Sequence, residues 1–449
     1  MNTEPLSARA PRVNRLLCYA VAVGIGCAML FLTKGPSHYR PPSYGGPEPQ
    51  MTHEAALEIV QTGRTAMTYH PTGYSYLVAV VYLLLPEAWR VPIAVLIVQI
   101  ASLPLVAWCV GRIAAQFGDQ RLELWGNWTA ALYYPLGYYA ATFNNSFATL
   151  VFASLAVVGV LPLLGPNRSL GRSLLSGLAL GAVACLRPNF GLLGIVFVLA
   201  LWRATRSFRE AIIRSAPIAA VSLGMLVLMT AINPPEPGQL VRGSQAAAKS
   251  LLEGTYQYSY DWWSWDWDRQ PDDMRTSGFD NPAVRDYFEH LQKIEVETGK
   301  PATDPVTQAA IRREAWSRII GMPANTLKKV LVSTVRIWIF VPTHLSSMAV
   351  KVLIAVQEFL LLGFALAGLV LMRGCPGGRL LAIGVLAVPT MSHWLLHIEP
   401  RYSLPARGIE VALAVVAIEA LARWLKIVSS KPNGAVENGM PHDVKAATA

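Results

Sequence analysis

Charge is scarce in this sequence. Asp, Glu, Lys and Arg make up 15% of the 449 residues, against roughly 25% in soluble domains, and 53% of the chain is hydrophobic. That excludes a soluble globule built around one core. Cysteine is sparse too. Cys18, Cys27, Cys109, Cys185 and Cys375 are scattered, mostly inside apolar runs and without CxxC spacing, so neither a zinc site nor a disulfide framework is indicated. No small-residue cleavage site follows the basic N-terminus, so residues 16–33 read as a retained first helix, not a signal peptide. No internal repeat is evident. The net charge of +10 reflects positive loops on one side of a membrane, and nothing points to nucleic acid.

What the chain has in abundance is apolar runs near membrane-spanning length. They fall at 16–33, 71–86, 92–111, 122–143, 146–165, 173–187, 189–203, 213–233, 329–343, 348–372, 380–397 and 403–424. The class is therefore all-α: a polytopic membrane helix bundle of about ten to twelve transmembrane helices. Five basic clusters set its orientation: Arg9/Arg12/Arg15, Arg168/Arg172, Arg203/Arg206/Arg209/Arg214, Arg373/Arg379 and Arg423/Lys426/Lys431 are expected on the cytoplasmic side. Parity then keeps two short runs from crossing: 71–86, closed by Pro71 and Pro86, and 329–343, which carries Lys329 and Arg336. Residues 1–233 form an N-terminal membrane module with a first outside loop at 34–91. Residues 234–347 form an extracytoplasmic helical subdomain, 348–425 the last membrane helices, and 426–449 a polar, disordered cytoplasmic tail.

Charge otherwise stays out of the long runs, which makes His397-Ile398-Glu399-Pro400-Arg401-Tyr402 conspicuous between two of them. An arginine beside a carboxylate where lipid meets water is either an interfacial anchor or a grip for a lipid-linked phosphate. Arg187-Pro188-Asn189 offers a second arginine at an outside turn, with the same two readings. Glu48, in Gly45-Gly46-Pro47-Glu48-Pro49, is either a solvated loop carboxylate or a general base for an acceptor hydroxyl; Glu54 and Glu58 qualify equally on charge alone. The segment from Tyr256 to Asp268 is crowded with aromatics. Its Trp263 and Trp265 suit an interfacial belt or a sugar-stacking platform. Asp266-Trp267-Asp268 has only the outline of a metal motif. His393 and His397 fall four apart, as zinc ligands on a helix can, but lack a third ligand, so no metal or other cofactor is assigned.

These residues occur in an order that resembles the GT-C membrane glycosyltransferases, especially the branch of protein O-mannosyltransferases and the lipid A aminoarabinose transferase. Glu48, Ala55-Ala56-Leu57, Thr62-Gly63 and His70-Pro71-Thr72-Gly73-Tyr74 are similar to that family's first outside loop. Leu132-Tyr133-Tyr134-Pro135, Gly177 to Arg187-Pro188, Glu314-Ala315-Trp316 through Met322-Pro323, and Glu399-Pro400-Arg401-Tyr402 continue the order. The resemblance covers roughly residues 15–205 and 310–425. It implies Glu48 as catalytic base, and Arg187, Arg401 and His70 on the carrier phosphate, supported by Glu399 and Tyr402; Glu54 stays a catalytic candidate on charge alone. Asn145, and Trp263 and Trp265 in the aromatic segment that the resemblance leaves unmatched, are candidate sugar or acceptor contacts.

The family chemistry so implied is inverting transfer of a sugar from a polyprenyl-phosphate donor to a hydroxyl of a glycan, glycolipid or protein. It would take place among membrane lipids on the outer face of a bacterial plasma membrane. The sequence departs from the family twice: Glu48 stands for an aspartate, and Asn144-Asn145-Ser146 stands where a second acidic residue is usual, which leaves metal dependence open. Two other classes remain: an O-antigen ligase or polymerase working from its late loop, and a non-catalytic lipid-carrier transporter or degenerate transferase.

Overall fold

The computed structural model describes residues 6–33, 47–67, 71–166, 168–235, 245–257, 282–339, 348–373 and 376–430. His70, Trp263, Trp265 and the Asp266-Trp267-Asp268 stretch lie outside the described residues. Within them the chain is helical and contains no strand.

Helix α1 (Leu6–Thr33) leads to a first pair of short helices, α2 (Pro47–Thr62) and α3 (Gly73–Leu83). The bundle continues through α4 (Pro92–Ala101), α5 (Leu103–Phe117), α6 (Leu122–Leu132), α7 (Tyr134–Ala140), α8 (Asn145–Val160), α9 (Leu170–Leu186), α10 (Leu193–Thr205) and α11 (Phe208–Ile232). Four shorter helices follow: α12 (Gln245–Gly254), α13 (Pro282–Thr298), α14 (Pro305–Gly321) and α15 (Pro323–Arg336). The chain closes with α16 (Met348–Leu371), α17 (Pro376–Ser392) and α18 (Arg407–Ser430). Side-chain caps fix several starts. Asn144 Oδ1 accepts from Ser146 N at 2.8 Å, and Asp304 Oδ1 from Val306 N at 2.8 Å, each satisfying an amide that the first turn leaves unpaired.

Six segments among the described residues are long and apolar enough to cross a membrane: Val13–Leu32, Pro92–Phe117, Asn145–Leu164, Pro188–Thr205, Phe208–Ile232 and Lys351–Leu371. Helix α3, at 11 residues, falls well short of the ~20 that a crossing needs. Two sequence boundaries shift. The 122–143 run breaks at Tyr133, because Pro135 cannot donate the bond that would continue α6. The 380–397 run ends as a helix at Ser392, so His393 and His397 are not ligands on one helix; they lie in the turn beyond it.

The expectation that charge stays out of the apolar runs fails most deeply between α16 and α18. Arg407 and Glu410 on α18 meet Glu358 on α16, all essentially without solvent exposure. Arg407 Nη1 lies 3.0 Å from Glu358 Oε2 and 2.7 Å from Glu410 Oε2, while Nη2 donates to the Trp338 carbonyl at 2.6 Å. Tyr133 donates to Glu358 at 2.9 Å. A buried charge is tolerated where such partners replace water, and these partners come from four separate chain segments.

One end of the bundle gathers basic clusters that the sequence set together. Arg15 and Arg112 each lie 3.2 Å from Glu123, Arg423 pairs with Asp119, and Arg373 N donates to the Phe117 carbonyl at 3.0 Å. At the other end of α9 and α18 lie Arg187 and Arg401. There α12, α13 and α14 share a small apolar core of their own, including Leu252, Tyr256, Tyr287, Leu291, Ile311 and Ala315.

Candidate functional site

The turn between α17 and α18 is built to hold an arginine. Pro400 opens a short 3-10 segment, Pro400–Ala406, and Glu399 precedes it in extended conformation. Glu399 pairs with Arg401 through Nε, and Arg401 Nη2 donates to Glu399 Oε1 at 3.2 Å. The same Glu399 oxygen lies 2.9 Å from His397 Nε2, and His397 Nδ1 lies 2.9 Å from Glu253 on α12. Gln257 fixes the turn further: its Oε1 accepts from Ile398 N at 2.9 Å and from Lys329 Nζ at 2.7 Å, and its Nε2 lies 2.8 Å from His397 Nδ1. His397 N also donates to the Ser250 carbonyl at 2.8 Å. Gln257 thus ties Lys329 to the backbone of the turn, and His397, held between Glu253 and Glu399, ties it to Arg401.

Arg187 arrives from α9. Pro188 ends that helix, leaving Arg187 extended at its C-terminus. Its Nε and Nη2 donate to Asn145 Oδ1 at 3.1 and 3.0 Å, and Nη2 donates to Ser146 Oγ at 2.7 Å. The following Asn189 donates to Ser392 Oγ at 3.1 Å, tying this turn to the end of α17. Both arginines address one ring. The Arg187 guanidinium carbon is 5.0 Å from the Tyr402 ring centre and that of Arg401 is 5.7 Å from it. His393 stacks on the same ring at 4.5 Å and 17°.

Glu48 comes from the first turn of α2, where a carboxylate complements the helix dipole. Its Oε2 lies 3.7 Å from Arg401 Nη1, and its side chain is 47% exposed. Two glycines position that loop. Gly63, at φ +76°, ends α2 in the left-handed conformation that only glycine adopts without strain, and Thr62 Oγ1 donates to Glu58 O at 2.9 Å beside it. Gly73 starts α3 directly against the Cys185 carbonyl, two residues before Arg187, where a Cβ would collide with backbone. Helices α2 and α3 are joined by a buried hydrogen bond between His53 Nδ1 and Tyr82 Oη at 2.8 Å.

Glu48, Arg187, Glu399, Arg401, Tyr402 and Asn145 therefore converge. Glu54 does not join them. Six residues along α2 from Glu48, it is on a different face and accepts from Gln50 at 2.8 Å. Glu58 is occupied with the loop after α2, accepting from Thr65 Oγ1 at 2.7 Å and Ala66 N at 2.9 Å. Sequence reasoning missed Glu253, Gln257 and Lys329. All three are polar residues on short helices or beside aromatics, with no motif around them; only burial marks them, at 7%, 3% and 4% exposure.

The electrostatics favour an anion. Burial works against the charge on Arg401, but Glu399 and Glu48 outweigh it and push its pKa above the usual arginine range. Burial lowers Arg187 to about 10, which leaves it charged at neutral pH. Burial also works against Glu399, yet Arg401 and His397 hold it down to about 2. His397 is pulled the other way: burial opposes its charge, and Glu253 and Glu399 raise it to about 9. Burial drives His393 down to about 3, so it is a neutral platform under Tyr402. The donors do not fit a divalent cation: Glu48 and Glu399 both face Arg401, and the Asn145 oxygen is taken by Arg187. Among the described residues no group of three or more His, Cys, Asp or Glu is placed to hold a metal.

No family model matches the sequence, and no curated protein does. Solved structures do. The oligosaccharyltransferase of Archaeoglobus fulgidus, in its apo form, matches with a TM-score of 0.55 over 94% of this chain at 11% identity. The same enzyme in complex with an inhibitory peptide and a dolichol-phosphate matches at 0.54, over 94% of this chain and at 11% identity. This chain spans about half of that enzyme's length, 52% in both cases. ArnT from Cupriavidus metallidurans aligns over 93% of this chain and 78% of its own at 18% identity, with a TM-score of only 0.36. Over most of this chain the fold is therefore shared with that of the Archaeoglobus fulgidus oligosaccharyltransferase.

Proposed function

We propose that the chain is a membrane glycosyltransferase that moves a sugar from a polyprenyl-phosphate carrier to an acceptor hydroxyl on the outer face of the membrane. The observation that carries this reading is the meeting of Glu48 with Arg401 at 3.7 Å, beside Arg187 on a shared Tyr402. It places a carboxylate and two fixed positive charges around one small space. The fold neighbour from Archaeoglobus fulgidus has been solved with a dolichol-phosphate and an inhibitory peptide, which supports a lipid-phosphate ligand here.

In this mechanism the carrier phosphate takes the place of Glu48 on Arg401 and releases that carboxylate toward the acceptor. Glu48 accepts the hydroxyl proton as the oxygen attacks the anomeric carbon, and the bond from that carbon to the phosphate oxygen breaks. The electron pair leaves on the polyprenyl phosphate, where Arg187 and Arg401 stabilise the growing charge. Direct displacement inverts the anomeric centre. Asn145 and Ser146 hold Arg187, and Glu399 holds Arg401, so neither guanidinium must reorganise during the reaction.

The test is transfer from a polyprenyl-phosphate-linked sugar by purified protein, comparing wild type with Glu48→Gln and Arg401→Ala. Removing a general base costs typically 10²–10⁴-fold in rate, so Glu48→Gln should retain substrate binding and lose turnover. Arg401→Ala should lose both. Full activity in both variants overturns the proposal, and full activity in Glu48→Gln alone points to chemistry carried by the late loop.

A further inference from the structure

A second cleft opens behind the Glu399–Arg401 turn, between α12, α14 and α15. As it stands it has room for about one water molecule; it is open on one side and is lined by Gly254, Thr255, Arg318, Asn325, Thr326 and Lys329 among others. Two of the lining side chains are cationic and no carboxylate lines the cleft. None of the proposed transfer chemistry uses it.

Lys329 is the unusual member. Helix α15 is inside out: Leu327 and Leu331 are exposed while Lys329 and Ser333 are buried, the reverse of a surface helix on a soluble core. At 4% exposure, the Lys329 ammonium has one hydrogen-bond acceptor among the described residues, Gln257 Oε1 at 2.7 Å. An ammonium has three donors, and a buried cation this poorly satisfied is costly unless something else completes its shell. Arg318 is held ready on the other wall. Its guanidinium lies 3.9 Å over the Tyr256 ring, and Nε donates to Thr255 Oγ1 at 3.0 Å, its one hydrogen bond among the described residues. The planar fork suits an oxyanion.

We propose that the cleft between α12, α14 and α15 binds a compact oxyanion, a phosphate or carboxylate group, through the Lys329 ammonium and the Arg318 guanidinium. The site is distinct from the Arg187/Arg401 pair and does not depend on the transfer reaction. Gln257 nonetheless joins the two places, accepting both from Lys329 Nζ and from Ile398 N, so an occupant can be felt at the turn that carries Arg401.

Protonation of Lys329 is coupled to binding. Burial and then Arg336 lower its pKa to about 7, against the opposing pull of Glu253. The other charged or titratable groups around it are Arg318 on α14 and His393 and His397 in the turn after α17. A bound oxyanion favours the charged lysine, so binding should tighten as pH falls through neutrality.

The test uses the full chain in phosphatidylcholine nanodiscs, with inorganic phosphate titrated by calorimetry and melting temperature read in parallel. Arg401→Ala removes the first anion grip and should retain phosphate binding. Adding Lys329→Met or Arg318→Gln to it should weaken that binding about tenfold or more, the usual effect of losing a charged hydrogen bond. Lys329→Met also deletes an incompletely paired buried charge, so the protein should fold at least as well as before. In the parent, binding of sulfate, whose charge is constant over this range, should be tighter at about pH 6 than at about pH 8.

A second arm dopes the discs with phosphatidylglycerol. A Lys329-dependent rise in melting temperature, with loss of the phosphate isotherm, assigns the cleft to a lipid headgroup; an unchanged isotherm assigns it to a soluble anion. The proposal is overturned if Lys329→Met and Arg318→Gln leave both readouts of the Arg401→Ala protein unchanged. Because these are binding readouts, they stand apart from the transfer assay.

Discussion

Replacing His397 by Gln and Lys329 by Met should unmask two pH dependences that cancel in the wild type. The charged His397 sits between Glu253 and Glu399 at 2.9 Å from each. Its pKa, opposed by burial but raised by those carboxylates, is about 9 when folded, against about 6.5 unfolded. The stability it contributes is complete below the unfolded value and is lost as pH rises through about 9. Lys329 behaves oppositely. Burial lowers it to about 7 when folded, whereas the unfolded chain keeps that proton to about 10.4. Stability therefore increases with pH across that interval. Between about pH 7 and 9 each slope is about 1.4 kcal/mol per pH unit, with opposite sign.

Over those two units each group alone amounts to about 3 kcal/mol. Unfolding entropy near 2.1 cal/mol/K per residue makes that about 3 °C in melting temperature for a chain of this length. The assay is thermal unfolding of the purified protein in detergent, without added phosphate, from about pH 6.5 to about 9.5. The wild type should be nearly flat between about pH 7 and 9. His397→Gln should gain stability with rising pH, and Lys329→Met should lose it. Variants that both reproduce the wild-type profile would refute the assignment of these two charges.

Two further outcomes test the packing that supports the site. Arg407→Ala strands Glu358 and Glu410 without their shared cation and should cost about 3–5 kcal/mol; adding Glu358→Gln and Glu410→Gln should recover part of it, and simple additivity of the melting shifts would argue against a coupled triad. Gly73→Ala drives a methyl into the Cys185 carbonyl. It should lower the proposed transfer activity by shifting α3, and with it α2 and Glu48, away from Arg187; an unchanged transfer rate in a normally folded variant would show that this close approach does not position Glu48.

The sequence by itself determined the class and the order of the parts. Apolar runs near 20 residues and basic clusters between them demand a multi-helix membrane bundle, since backbone polar groups in lipid must be satisfied within helices. Proline and glycine at Pro47, Gly63, Gly73, Pro188 and Pro400 marked where the chain turns, and the arginines and carboxylates beside them stood out because charge is scarce. What the sequence could not show is which of these residues meet. Glu48 and Glu54 look alike in the chain, and only the helix phase of α2 separates them, leaving one beside Arg401 and the other on Gln50. Glu253, Gln257 and Lys329 lie well over 60 residues from the turn they support and carry no local signal. Arg407, Glu358 and Glu410 read as isolated charges in apolar helices until packing makes them one cluster. The reason is physical: periodicity and turn chemistry are local, while the partner that lets a buried charge persist is supplied by whatever tertiary packing brings beside it.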